Sequence, residues 1–493
     1  MQETYDALMA HVRQSEALAQ ISGLLGWDQE TMMPRGAAAQ RAEWMGAIEG
    51  VIHERRTDAR IGEWLARLEG GDLNEVQRAN LRLIRRSFER NTRVPADLAS
   101  EIARVTSVSQ GVWAQARSND DFAAFAPSLG RVLELRREEA AALADGGDLY
   151  DALMDDYEPG MTGARMADLL GGMRARLVEL RDRIRGSSVV IEALDFAFPE
   201  DRQMALAREL AGVFGYDWNR GRLDKVVHPF SSGSGTDSRI TTRTETNNPF
   251  NCLYSTIHEV GHSCYEQGIR DEFLLTPLGR GISMGVHESQ SRIYENQMGR
   301  SRAFCGWLFG RMRDCFGDFG VADEQEFYRL VNRVSDGYIR TEADEVQYNL
   351  HVLMRFDLER AMISGDLEVC DLEAAWNARF EADFGIAVDR PSNGVLQDVH
   401  WSLGMMGYFP TYALGNIYAG CLFAALEDAV PSLEADLAMG NPEKATGWLR
   451  ETVQRHGGLY EPRELIERAS GAAIGETPLM DYLERKFSRI YDL

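Results

Sequence analysis

The 493-residue sequence predicts a mainly α-helical protein with one short β-hairpin or small sheet near residues 228–250. Three observations lead there. Apolar residues recur at steps of three and four through most of the chain, the period of a helix with one buried face. Alternation of β-branched residues is confined to a single stretch. The composition, 44% hydrophobic and 26% charged with only 14 prolines, belongs to a folded globular protein and excludes fibrous or disordered classes. The length exceeds what one core can fill, so one large body with two lobes or two adjoining domains is expected.

The helical pattern first runs through 4–22, 95–117 and 121–143. It is clearest at Leu169, Leu170, Met173, Leu177, Leu180 and Ile184, opened by Pro159-Gly160 and a Thr162 cap and closed by Gly186. It continues at 200–214 and breaks at His228-Pro229-Phe230, where a Gly/Ser turn leads into Asp237-Ser238-Arg239-Ile240-Thr241-Thr242, the predicted hairpin. Further helices are predicted at 325–338, 345–363 and 430–455. Val399 to Leu426 carries no Asp, Glu, Lys or Arg. Its histidine, asparagine, four glycines and three tyrosines make a buried or cleft-lining segment the expectation and a membrane span the lesser reading. Gly457-Gly458 reads as a helix stop. Neither internal repeats nor low-complexity tracts are present.

The net charge of -24 sets 53 Lys and Arg against 77 Asp and Glu, a balance that repels nucleic acids and anionic membranes. Six cysteines without a C-x-x-C pair read as reduced core thiols, Cys252 and Cys264 among them. The acidic start Met1-Gln2-Glu3-Thr4-Tyr5-Asp6 lacks the basic and apolar regions of a secretory signal, so a cytoplasmic protein is expected.

The sharpest chemical feature is His258-Glu259-Val260-Gly261-His262. On a helix the two histidines lie one turn apart on one face and can reach a single Zn²⁺, while Glu259 sits beside them to act on a water. The alternative is two ordinary surface histidines. A catalytic zinc site needs a third protein ligand. Tyr265 and Gly268 stand where a metzincin would have Gly and His, and Glu266 is too far along the helix axis to converge with both histidines. The ligand should therefore come from another helix. Glu288 is the first candidate and Glu295 the second, a surface carboxylate being the alternative for Glu288. His228 and His287 are either partners of the ligands or packed cleft histidines.

These residues belong to an ordered series: His228-Pro229-Phe230; Asp237 to Thr241; His258 to His262; His287-Glu288-Ser289-Gln290; Ile339-Arg340-Thr341-Glu342-Ala343-Asp344; and Gly394 to Trp401, which reads G-x-x-Q-D-x-H-W. The series resembles the carboxypeptidase Taq family of metallocarboxypeptidases. Trp27 to Pro34 and Gly36 extend the similarity over essentially the whole chain. The resemblance implies a two-lobed helical body around a deep cleft, similar to neurolysin and angiotensin-converting enzyme. It also implies one catalytic domain over 1–493 with its metal-binding segment at 250–300, and a homodimer requiring one divalent ion per chain, Zn²⁺ or Co²⁺. By position, His258, His262 and Glu288 would be the ligands and Glu259 the general base. His400 and a tyrosine, Tyr412 ahead of Tyr408, would stabilise the oxyanion, aromatic packing being the alternative for both tyrosines. Arg340 would hold the free C-terminal carboxylate of a peptide, with Arg239 second, because a planar guanidinium pairs with a carboxylate through two hydrogen bonds. An ion pair of Arg340 with Asp344 one turn later is its alternative. The implied activity is release of single C-terminal residues with broad specificity. An oligoendopeptidase or dipeptidyl carboxypeptidase is the next reading, and a non-catalytic peptide-binding scaffold the most distant.

Overall fold

A computed structural model describes residues 1–493. The chain begins with four helices, α1 (Gln2–Thr31), α2 (Ala38–Arg56), α3 (Ala59–Leu68) and α4 (Glu75–Arg93). Helices α1, α3 and α4 share a small core of Leu8, Val12, Ile61, Leu65, Leu68 and Ile84. Next come α5 (Ala96–Ser118), α6 (Phe122–Ala144), α7 (Leu149–Met154), α8 (Gly163–Arg185) and α9 (Glu200–Val213). The side chain of Thr162 caps α8 by accepting from the Arg165 N–H at 3.2 Å, and Gly186 follows its last residue, as the sequence pattern predicts.

The single sheet has the order β1-β3-β2, with β1 (Leu223–Lys225), β2 (Ser231–Ser234) and β3 (Asp237–Thr242). The expected hairpin is β2–β3, closed by the two-residue loop Gly235-Thr236 with Gly235 at φ +58°. The parallel strand β1 adds an edge that its three residues were too few to announce.

The chain continues with α10 (Pro249–Gly268), started by Pro at its first turn, and α11 (Met284–Arg292), capped by Ser283 accepting from the Val286 N–H at 3.1 Å. A π-helical segment, Ile293–Gly299, carries α11 onward. The remainder is α12 (Arg302–Phe316), α13 (Glu324–Val331), α14 (Gln347–Ser364), α15 (Leu372–Phe384), α16 (Pro410–Ala429), α17 (Leu433–Ala438), α18 (Glu443–Thr452), α19 (Pro462–Ser470) and α20 (Thr477–Tyr491). One cluster of 91 buried residues, from Ala116 to Tyr491, forms the main core. The uncharged stretch supplies its central helix, α16, which is buried on nearly every face. No helix is long and apolar enough to cross a membrane.

Two predicted helices are shorter than their patterns. The 325–338 helix stops at Val331, where Asn332 turns its amide onto the Tyr328 and Arg300 carbonyls and Ser335-Asp336-Gly337 follows. The 430–455 pattern splits between α17 and α18 at Gly440 (φ +67°), whose bare backbone packs on the Trp307 ring. Cys252, Cys264, Cys305 and Cys421 are buried thiols, but Cys315 is half-buried and Cys370 exposed, so the core expectation holds for four of six.

Candidate active site

Two glycines decide where the functional side chains meet. Gly261, inside the H-E-x-x-H turn, lets α10 touch the backbone of α11; a Cβ there would stand 2.6 Å from the Gln290 carbonyl oxygen and the Ser291 Cα. Gly415 of α16 presses on α11 from the other side, and its Cβ would stand 2.5 Å from Cβ and Cγ of Glu288. Glu288 is thereby held between two helices and aimed at the histidines of α10.

His258 Nε2 lies 3.8 Å and His262 Nε2 3.5 Å from Glu288 Oε2, and the three ligand atoms all fall within 4.8 Å of one another. Bonds of the usual zinc length at tetrahedral angles would separate ligand atoms by about 3.3 Å, so the group fits a small divalent cation with minor closure. The other ring nitrogens are engaged. His258 Nδ1 is 2.9 Å from Glu295 Oε2, and His262 Nδ1 is 2.6 Å from His287 Nδ1, whose own Nε2 meets Glu266 Oε1 at 3.0 Å. Such partners fix ring orientation and leave both Nε2 atoms pointing inward. Glu295 therefore stands behind His258 rather than among the convergent atoms, and His287 stands behind His262. His228 is exposed and takes no part.

Burial would raise the Glu288 carboxyl, but Arg292, donating to Oε1 at 2.6 Å, and then the imidazoles outweigh it and hold the group well below the usual carboxylate range. Burial pushes His262 down to about 3 against the pull of Glu288, so the ring is neutral, as a metal ligand must be. Burial also pushes the Glu259 carboxyl up to about 7, with the nearby Glu288 charge adding to the shift and His258 opposing it.

Beyond Glu288 the site continues through Arg292, which stacks on Tyr348 at 4.3 Å, to Arg340, whose Nη1 donates to the Tyr348 hydroxyl at 3.2 Å. Arg340 is buried and pairs not with Asp344 but with Asp398, Nε and Nη2 reaching Oδ1 at 3.1 and 3.0 Å. Asp344 instead accepts from the backbone of Val346 and Gln347. The expected helix turn between Arg340 and Asp344 is absent, because only a 3₁₀ turn, Arg340–Glu342, forms there. Asp398 also takes Arg355 Nε on Oδ2 at 2.8 Å. Two buried guanidiniums on one carboxylate leave one positive charge over. His400 does not add to it, since burial pushes it down to about 4 with the two arginines assisting against Asp398.

His400 Nε2 is 3.5 Å from the Tyr412 hydroxyl, and Tyr408 meets the Tyr412 ring edge-on at 5.3 Å. Tyr412 is one of few α16 residues that are only half-buried. Arg239 stands apart. Its Nε and Nη2 donate to Asp237 at 2.7 and 2.9 Å, and its guanidinium lies 4.2 Å above Trp27 of α1, beside Arg222 at 5.2 Å.

Sequence reasoning named the convergent residues but not Gly261, Gly415, Arg292, Tyr348 or the role of Asp398. Asp398 lies inside the quoted G-x-x-Q-D-x-H-W string, and an acid two residues before the candidate histidine of that motif was the available signal. The glycines gave none, because their importance lies in what the opposing helix carries.

A family model described as carboxypeptidase Taq (M32) metallopeptidase matches residues 7–487. Thermostable carboxypeptidase 1 of Thermus thermophilus is 40% identical over 99% of both chains, and carboxypeptidase 1 of Bacillus subtilis 33% identical over 99% of this chain and 98% of that protein. Among solved structures, the M32 carboxypeptidase from Deinococcus radiodurans R1 superposes with a TM-score of 0.96 at 41% identity, covering both chains completely. With the resemblance carried over nearly every residue, the chain belongs to the carboxypeptidase Taq (M32) family and is a metal-dependent carboxypeptidase.

Proposed function

We propose that this enzyme releases single residues from the free C-termini of peptides, using one Zn²⁺ held by His258, His262 and Glu288, within a single catalytic domain. The observation that carries the reading is the pair of sites side by side. Three convergent ligand atoms lie two side chains away from a buried cluster with one uncompensated positive charge. A charge of that kind is costly until an anion reaches it, and a terminal carboxylate is the anion that a peptide brings.

A divalent ion in this ligand set would lower the pKa of a water to about 7 and polarise the scissile carbonyl. Glu259 then takes the proton of the attacking water and delivers it to the leaving nitrogen. The Tyr412 hydroxyl, oriented by His400 and packed by Tyr408, donates to the oxyanion. Arg340 holds the terminal carboxylate, Asp398 and Tyr348 fixing the plane of its guanidinium. The salt link of Arg239 to Asp237 and its stack on Trp27 support a role in fixing the hairpin against α1, with substrate contact second. The family resemblance further supports a cytoplasmic location and a homodimer, and sedimentation would test the second.

The test is mass-spectrometric product analysis on one N-blocked peptide with a free or an amidated C-terminus, with and without chelator. Stepwise loss of single residues from the free form alone, stopped by chelator, is the expected result. Internal or dipeptide cuts, or equal cleavage of the amide, would refute the carboxylate clamp.

A further inference from the structure

A cavity of about 460 Å³ lies between the N-terminal helices and the catalytic body. Its walls are α1, the last turn of α2, α4 and the loop Pro277–Ile282 that leads into α11. Five arginines line it, Arg55, Arg56, Arg86, Arg90 and Arg280, against two acids, Glu16 and Asp156. In a chain whose acidic residues outnumber its basic ones by 24, this is an inversion.

The arginines are not equivalent. Arg86 pairs with Asp155 at 2.8 Å, Arg90 with Asp156, and Arg280 with Glu16 at 2.8 Å. Arg55 donates only to neutral groups, the Ser15 hydroxyl at 3.0 Å and the His11 carbonyl at 2.7 Å. Arg56, half-buried beside it, has neither a hydrogen bond nor an ion pair. Two adjacent guanidiniums without a carboxylate partner, facing a half-open space with apolar walls at Val12, Ile61 and Phe88, present what an incoming carboxylate requires.

The cavity wall lies close to the candidate metal site. Gly281 lines it and donates its N–H to Glu266 Oε1 at 3.0 Å, the oxygen that also meets His287, and His287 packs on His262 with ring centres 4.7 Å apart. Glu266 and His287 therefore stand between the cavity wall and a candidate metal ligand. Arg340 is reached from the same group through a different ligand, Glu288, by way of Arg292 and Tyr348. A peptide with its terminal carboxylate on Arg340 would leave the site past His262. An extended chain leaving on that side, advancing about 3.3 Å per residue, would come alongside the cavity within a few residues upstream of the scissile bond.

Building on the carboxypeptidase mechanism proposed above, we propose that this cavity is an upstream subsite that binds the carboxylate side chain of an acidic substrate residue through Arg55 and Arg56. Peptides with Glu or Asp a few residues before the cleaved bond are then the favoured substrates.

The experiment compares kcat/KM for N-blocked hexapeptides that differ only in Glu or Gln at the second, third or fourth upstream position. It uses the metal-loaded wild type, Arg56→Gln, Arg56→Lys and the Arg55→Gln/Arg56→Gln double variant, with thermal melts to verify folding. The wild type should prefer Glu at one position by about tenfold, the order of one charge-assisted hydrogen bond. The preference should shrink in Arg56→Gln, return in part with Lys and vanish in the double variant. Equal turnover of Glu and Gln peptides at every position, or an undiminished preference in the double variant, overturns the proposal. So does inhibition by free glutarate without any Glu preference, which would make the cavity a small-molecule site. An N-blocked dipeptide too short to reach the cavity reports separately on the carboxypeptidase mechanism. Were it to remain uncleaved, anisotropy of labelled Glu and Gln hexapeptides bound to the same variants would still decide the subsite.

Discussion

Replacing Gly415 by alanine tests whether helix approach, rather than ligand identity alone, builds the metal site. The added Cβ would stand 2.5 Å from Cβ and Cγ of Glu288 and 3.2 Å from its carbonyl carbon. Ordinary carbon contacts begin near 3.5 Å. The Cβ of Glu288 is fixed by its backbone, so rotating the side chain gives no relief, and α16 and α11 must separate by about 1 Å. Metal sites tolerate ligand displacements of only about 0.2 Å. The Glu288 oxygen would leave the tetrahedral spacing it now holds with His258 and His262, and metal affinity should fall by about 10- to 100-fold, comparable to loss of a ligand's supporting partner. Overpacking should also lower the stability of the metal-free protein by about 1–3 kcal/mol. The assay is chelator competition for bound metal, with a thermal melt of the apo form. Affinity within twofold of wild type in a variant whose melt is unchanged would refute the argument, showing that the helices separate without moving the ligand.

Glu295→Gln removes the carboxylate behind His258 and should weaken metal binding by about 10-fold or more while leaving the fold intact, measured by the same competition. Asp398→Asn leaves Arg340 and Arg355 buried without their shared partner and should cost about 3–5 kcal/mol, read as a fall in apparent Tm. Arg340→Gln should raise KM for peptides with a free C-terminus by about tenfold or more while the inhibition constant of the matching amidated peptide stays unchanged, and equal weakening of both would count against its role as the clamp. The pH prediction concerns Glu359, which accepts from Trp401 Nε1 at 2.8 Å and from the Tyr150 hydroxyl at 2.8 Å, and which burial pushes up to about 7 despite those bonds. A carboxyl raised in the folded state contributes stability that is complete below its unfolded pKa, near 4.5, and is lost as pH climbs through 7. The loss approaches about 3 kcal/mol. Melts of Glu359→Gln from pH 5 to 8 should therefore vary less with pH than wild type, and parallel profiles would refute the assignment.

The sequence made the fold class legible because most helices bury one face and so write their period into the chain. It misplaced boundaries where a single contact overrides that period, as Gly440 does against Trp307 and Asn332 does at the end of α13. At the site, the spacing of His258 and His262 follows from one helix and could be read directly. Every contribution from another element escaped spacing arguments. Helix pattern could only rank Glu288 ahead of Glu295, motif order placed it, and its partner Arg292 escaped both. The π-helical segment after α11 shows why. Glu288 and Glu295 are seven residues apart, yet their carboxylates reach Nε2 and Nδ1 of the same His258 ring, at 3.8 and 2.9 Å. Two full turns of a regular α-helix would set their Cα atoms about 10.5 Å apart along the axis. Widening the last turns and aiming both side chains inward brings them to opposite ends of one imidazole, and π-segments recur at such functional positions. The energetic cost of a widened turn is offset when it lets one carboxylate ligate while the other orients the ligand. A sequence reader sees two glutamates competing for one role, whereas the structure sets one carboxylate before the His258 ring and the other behind it.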